Sequence, residues 1–157
     1  MPEKSAHHLL DAARAAASAD DHTTSMQQLK AAAETFPDDA EVAYALGAEF
    51  GYVELFDAAE TQMQRALALD GQLHAARFHL GLLMITRSRF EEAMHTWMAL
   101  ETLPDTSALK QYKRAFDALA QDDFAPARTH IDTGLKAEGS TPEIDEQMHR
   151  LRASLPA

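Results

Sequence analysis

Apolar and polar positions along this chain fall into long helical blocks, and the blocks return at a fixed spacing. The stretch Arg77 to Leu103 shows the unit most clearly. It has an apolar run through Met84, a polar break at Thr86-Arg87-Ser88-Arg89, and a second run opening at Phe90. One period earlier, Leu46-Gly47, Phe56, Ala59 and Met63 take the places of Leu80-Gly81, Phe90, Ala93 and Trp97. One period later, Ala115, Phe124, Ala127 and Ile131 do the same. A period of this size predicts stacked helical hairpins, because one hairpin cannot bury its apolar face alone.

The frames fall at about 6–39, 40–73, 74–107 and 108–141. In the first, the pattern predicts helices over Leu9–Ser18 and Thr24–Thr35, with the turn at Ala19-Asp20-Asp21-His22. Pro37 stops the pair, since proline cannot continue a helix, and Asp38 or Asp39 caps the next one. The second frame predicts helices over Ala40–Tyr52 and Phe56–Leu69, closed by Asp70-Gly71. The third follows that plan and stops at Pro104-Asp105. The fourth starts near Ser107, turns at Gln121-Asp122-Asp123 and returns over Phe124–Ala137, with Pro126 in the first turn, where its missing amide hydrogen costs little. Thr141, Pro142 and Glu143 then form a helix start, and Ile144, Met148, Leu151 and Leu155 form one apolar stripe. Residues 142–155 read as a capping helix, which gives the array a polar outer face.

Composition narrows the picture. Alanine, leucine, methionine and glutamate favour helix throughout, and 157 residues fit one domain. The absence of cysteine excludes a disulfide framework and a thiolate metal site. No stretch has the length of a membrane span, and Asp11 and Arg14 interrupt the N-terminal apolar residues, so no signal peptide is expected and a soluble, cytoplasmic protein is. The formal charge of −11 is uneven: residues 1–70 hold 13 acids and 4 bases, the remainder 12 acids and 10 bases. An acidic chain repels phosphate backbones, so nucleic acid is not an expected partner. Arg77, Arg87, Arg89, Lys110, Lys113 and Arg114 cluster in sequence, which reads either as a solvated surface or as a site for an acidic stretch of protein.

With the frame set, the chain resembles the tetratricopeptide repeat family over about residues 6–141. The match rests on Leu46-Gly47, Phe50, Phe56, Ala59, Ala66 and Asp70-Gly71, then Leu80-Gly81, Phe90, Ala93 and Trp97, then Ala115, Phe124, Ala127, Ile131 and Gly134-Leu135. Ala13, Ser25, Leu29, Ala32 and Pro37 begin it more faintly. The resemblance implies an all-α fold and a single domain over residues 1–157. It would be an α-solenoid of four antiparallel helix hairpins in a right-handed superhelix, closed by a ninth capping helix. In that frame Gly47, Gly81, Ala115, Ala59, Ala93 and Ala127 let paired helices approach, and Phe56, Phe90 and Phe124 plug the turn ends. Ala66 and Gly134 leave room for the neighbouring hairpin, whereas Leu100 departs from the small-residue pattern. His22 stands where the other repeats place phenylalanine.

The resemblance also implies a function: a non-catalytic adaptor or chaperone-like module that takes a peptide or helix of a partner protein in a concave groove. The places that form a carboxylate clamp in chaperone-binding members hold Leu10, Arg14, Ala45, Ala75 and His79 here, so that clamp is not carried over. The apolar stripe Leu109, Tyr112, Phe116 and Leu119, with Phe78, Leu82 and Ile85 and with Tyr44 and Tyr52, would line an apolar groove. Such a groove awaits an amphipathic segment, or a second copy in a homodimer. The competing reading makes these side chains ordinary core, under a rotated fourth repeat or a folded-back tail. None of the eight histidines forms a His-Glu-x-x-His signature, and His74 and His79 are poorly spaced for one helical face. No metal, cofactor or catalytic residue is expected, and an enzyme is the remote alternative.

Overall fold

The computed structural model describes residues 5–157. Nine α-helices are found among them: α1 Ala6–Ser18, α2 His22–Thr35, α3 Ala40–Tyr52, α4 Phe56–Leu69, α5 His74–Thr86, α6 Phe90–Trp97, α7 Ala108–Leu119, α8 Phe124–Leu135 and α9 Pro142–Ser154. Their starts follow from caps. The Asp21 side chain accepts from Thr24 N at 3.1 Å, Asp39 from Val42 N at 3.0 Å and Thr141 from Ile144 N at 3.2 Å. The Asp21 cap starts α2 at His22, ahead of the predicted Thr24, and Ser5 likewise starts α1 at Ala6 by accepting from His8 N. The helix after Phe90 is shorter than its pattern suggests. It tightens into a 3₁₀ segment over Met98–Thr102, where Leu100 is buried in place of a small residue.

The hairpin turns repeat in the backbone as well as in the sequence. Asp20, Glu54, Ser88 and Asp122 adopt φ of 64°, 64°, 60° and 54°, each one sequence period after the last. The amide that follows each of them bonds back into the end of the preceding helix: Asp21 N to Ala16 O, Leu55 N to Phe50 O, Arg89 N to Met84 O and Asp123 N to Ala118 O, at 2.8–3.0 Å. This left-handed residue with its long return bond is the geometry that satisfies the last carbonyls of a helix. None of the four is glycine, so each accepts a conformation that side chains disfavour.

The chain divides into two compact units, one ending at Leu83 and the other beginning at Met84, inside α5. In the first, α1, α2 and α3 bury Leu10, Ala13, Leu29, Ala32, Val42 and Leu46 together. Ala66 of α4 meets Ala43 of α3 and Ala76 of α5, the room for a neighbour that its small size implies. Gly47 marks the close approach of α3 and α4. A methyl group there would stand 2.9 Å from Met63 Cγ and 3.1 Å from Ala59 O.

In the second unit α7 packs on α8, and α9 packs on α8. Gly134 does not leave room for a neighbouring hairpin. It faces Tyr112 of its own hairpin, where an added Cβ would overlap Cε1 and Cδ1 of the ring. The Tyr112 hydroxyl continues to α9 and donates to Asp145 Oδ1 at 2.6 Å, and burial together with that carboxylate holds the phenol well above its ordinary pKa. Arg152 grips Asp132 through two bonds of 2.5 and 2.9 Å, while Ile144 and Met148 are fully covered. The tail is therefore a packed cap. Phe56 and Phe124 are half-buried, but Phe90 is 56% exposed and plugs nothing. The register explains this: the places that hold Glu49 and Tyr52 two repeats earlier hold Asp117, engaged with Lys113 at 2.9 Å, and the small Ala120.

Two outcomes test this packing. Gly134→Ala should destabilise the chain by about 1–3 kcal/mol, because the Tyr112 ring is anchored at its hydroxyl and cannot retreat. Leu103→Ala, at a half-buried loop position, should cost less in the same urea melts. Deleting residues 142–157 removes two fully buried side chains, each worth about 1.5–3 kcal/mol. It should lower the melting midpoint and produce aggregates visible by light scattering.

Candidate functional site

The side chains expected to line an open apolar groove are for the most part core. Phe78, Leu82, Leu109, Tyr112 and Phe116 are buried, so the expected exposure is corrected. In α7 the cause is cover on more than one face. Tyr112 lies against Gly134 and bonds to the tail, and Phe116 packs on the Trp97 ring at 5.0 Å between centroids. Gln111, on another face, is also buried and is satisfied there. It donates to Asp105 O at 2.9 Å and pairs with His130 Nδ1 at 2.9 Å. Ile85, Leu119 and Tyr44 are half-buried; the Tyr44 hydroxyl stands 3.3 Å from Nδ1 of buried His79, with the rings edge to face. Of the nine, Tyr52 alone is exposed, at 59%.

Tyr52 sits at the end of α3, where the turn adds Val53, 43% exposed, and Leu55, 53% exposed. Three large apolar side chains packed into one short turn are unusual, since turns favour small and polar residues. Their support comes from the preceding hairpin. His22, the first residue of α2, stacks its ring on Tyr52 at 3.8 Å and 16° between planes. Its Nδ1 lies 2.5 Å from Oε1 of buried Glu49, and its Nε2 lies 3.3 Å from Asp20. The substitution of histidine for phenylalanine at this place thus joins two hairpin turns by a polar contact and a ring stack instead of an apolar plug. The sequence singles out Tyr52 and the odd His22 but not Val53, Leu55 or Glu49. The signal that could have found them is an apolar Tyr-Val-x-Leu run where the frame requires a turn.

The rest of this edge is acidic. Asp20, Asp21, Glu54 and Asp57 are exposed, and neither residues 15–29 nor residues 42–64 contain a lysine or arginine. The basic residues that cluster in sequence are occupied instead. Lys110 and Arg114 meet Asp105 at 3.0 and 3.1 Å, and Lys113 bridges Glu101 at 2.7 Å and Asp117 at 2.9 Å. These partners hold the Asp105 and Glu101 carboxyls below their ordinary pKa, the hydrogen bond from lysine being the largest cause in each. Among the described residues no group of three histidines or carboxylates is placed to hold a metal ion, and no helix is long and apolar enough to cross a membrane.

No family profile and no curated protein sequence matches the chain. Solved structures do. MamA from Desulfovibrio magneticus RS-1 superposes with a TM-score of 0.66 at 14% identity, over 99% of this chain and 85% of that one. PilW, a widely conserved type IV pilus biogenesis factor, gives 0.69 at 16% identity, over 86% of this chain and 63% of PilW. Yeast Tom70 gives 0.66 at 18% identity, over 96% of this chain and 32% of Tom70. At these identities the likeness establishes the fold: an all-α array of helical hairpins of the tetratricopeptide type.

Buried His79 makes the fold sensitive to acid. Desolvation lowers its pKa from 6.5 to about 4, so the folded chain keeps it neutral while the unfolded chain takes up a proton below pH 6.5. Stability is whole above pH 6.5 and is lost as pH falls towards 4, by up to about 3 kcal/mol. Urea melts at pH 7 and pH 5 should show this loss, and His79→Gln should flatten it.

Proposed function

We propose that the chain is a non-catalytic protein-interaction module, an adaptor or scaffold of the cytoplasm, that holds a segment of a partner protein. The observation that carries this reading is the turn edge at Tyr52, Val53 and Leu55. Exposed apolar clusters rimmed by polar residues mark interaction sites on soluble proteins. The edge is also pre-organised. The His22 stack and the Glu49 bond fix the Tyr52 ring before any partner arrives, so less rotamer freedom is lost on binding. Because the expected groove residues are packed inside the chain, the contact surface is assigned to this turn edge and not to a groove.

A second reading is self-association, favoured by a different face. Phe90 and Met98 are exposed, and half-buried Met94 lies midway between them at helical spacing, which aligns all three along one side of α6 and the segment after it. Such a stripe can pair with its own copy across a two-fold axis.

One pair of variants separates the two. Tyr52→Ser with Leu55→Ser should abolish capture of the partner from the native host and leave a cooperative fold, at a cost of about 1 kcal/mol for the lost His22 stack. Light scattering should find the wild-type chain monomeric. A dimer that Phe90→Ser with Met98→Ser dissolves would establish self-association in its place.

A further inference from the structure

The occupant of the Tyr52 edge can be narrowed by charge, an inference that rests on the interaction-module reading above. We propose that this edge docks a cationic segment of a different protein, one in which an arginine or lysine stands beside an apolar side chain. The apolar half of the partner is set by Val53 and Leu55, which follow Tyr52 in the same turn and are open to solvent. The charged half is set by two features. Tyr52 stacks on His22, yet 59% of the residue remains exposed, which leaves ring surface on which a guanidinium can lie. Beside it, Glu54 has no ion-pair partner among the described residues, and Asp20, 88% exposed in its side chain, meets only His22.

The two segments that form the edge are acidic. Residues 15–29 and 42–64 contain no lysine or arginine, and the basic ring on them, His22, meets Asp20 and Glu49 and not Glu54. Residues 1–70 together carry 13 acids against 4 bases. A phosphate-bearing partner, whether nucleic acid or an anionic lipid surface, is repelled by such an edge. A second copy of this chain is also a poor fit, because most cations of its second unit are committed internally. Lys110 and Arg114 sit on Asp105, Lys113 lies between Glu101 and Asp117, Arg150 meets Glu146 and Arg152 grips Asp132. Breaking those pairs to reach another molecule would return little. Opposite charge at the rim then governs encounter and partner choice, while the apolar centre holds the complex.

A displayed library of random peptides tests this directly. The library is first depleted on the Tyr52→Ser, Leu55→Ser variant and then selected on the wild-type chain. The peptides that remain should carry arginine or lysine next to leucine or an aromatic residue. One of them, synthesised, should bind Glu54→Lys at least about tenfold more weakly and should lose affinity as salt rises. Glu54→Lys leaves the His22–Tyr52 stack in place, and circular dichroism on both variants verifies the fold. Enrichment of acidic or uncharged peptides would overturn the charge assignment. Peptides that bind wild type and the Tyr52, Leu55 variant alike would move the docking site elsewhere and leave the interaction-module reading standing. If no peptide binds the wild-type chain, both fail.

Discussion

The close approach of paired helices is the constraint on which the rest of the structure depends. At Gly47 a single methyl group would press on Met63 and on the backbone of α4. At Gly134 the missing side chain is replaced outright by the ring of Tyr112. Helices packed this closely exclude water between them and leave few voids, so small changes in volume are felt through the hairpin. In the second unit the consequence propagates. The space at Gly134 lets Tyr112 reach Asp145, and this bond, with the Arg152–Asp132 pair, seats α9. The cap is therefore held through a glycine on another helix.

Much of this is legible from periodicity. Helix starts depend on local signals such as Asp39 and Thr141, and turns depend on a fixed offset, so the helix order and the capping tail follow from the sequence. What the pattern does not carry is the identity of the exposed face. The stripe Leu109, Tyr112, Phe116 and Leu119 has the spacing of a one-sided helix, but α7 also buries Gln111 on another face. A buried glutamine is invisible to hydrophobic periodicity until its partners, Asp105 and His130, are known. Phe90 fails for the opposite reason. Its type predicts a plug, but the side chains its register supplies, Asp117 and Ala120, offer no apolar cover.

The candidate edge is half legible. Tyr52 reads as a groove residue and is exposed, but on the turn side. His22 stands out as an exception to the phenylalanine pattern, without its cause. The cause is a pair of long-range contacts, to Glu49 and Tyr52 at the far end of the next hairpin's first helix, which no local reading of composition supplies. Charge is more informative than periodicity here. The net imbalance over positions 1–70 is read directly from the sequence, and the internal ion pairs of the second unit show that Lys110, Lys113 and Arg114 of the basic cluster are engaged within the chain.

The recurring left-handed turn carries a consequence for how such a chain diversifies. Asp20, Glu54, Ser88 and Asp122 share a backbone geometry and a return hydrogen bond made entirely by main-chain atoms. The fold asks of these positions a left-handed torsion angle, which β-branched side chains resist, and the return bond uses no side-chain atom. Within that limit residue type is loosely coupled to architecture, and an acid can be exchanged for serine without rebuilding the hairpin beneath it. In this way each repeat offers one writable position, on which a binding preference can be altered while its own helices stay as they are.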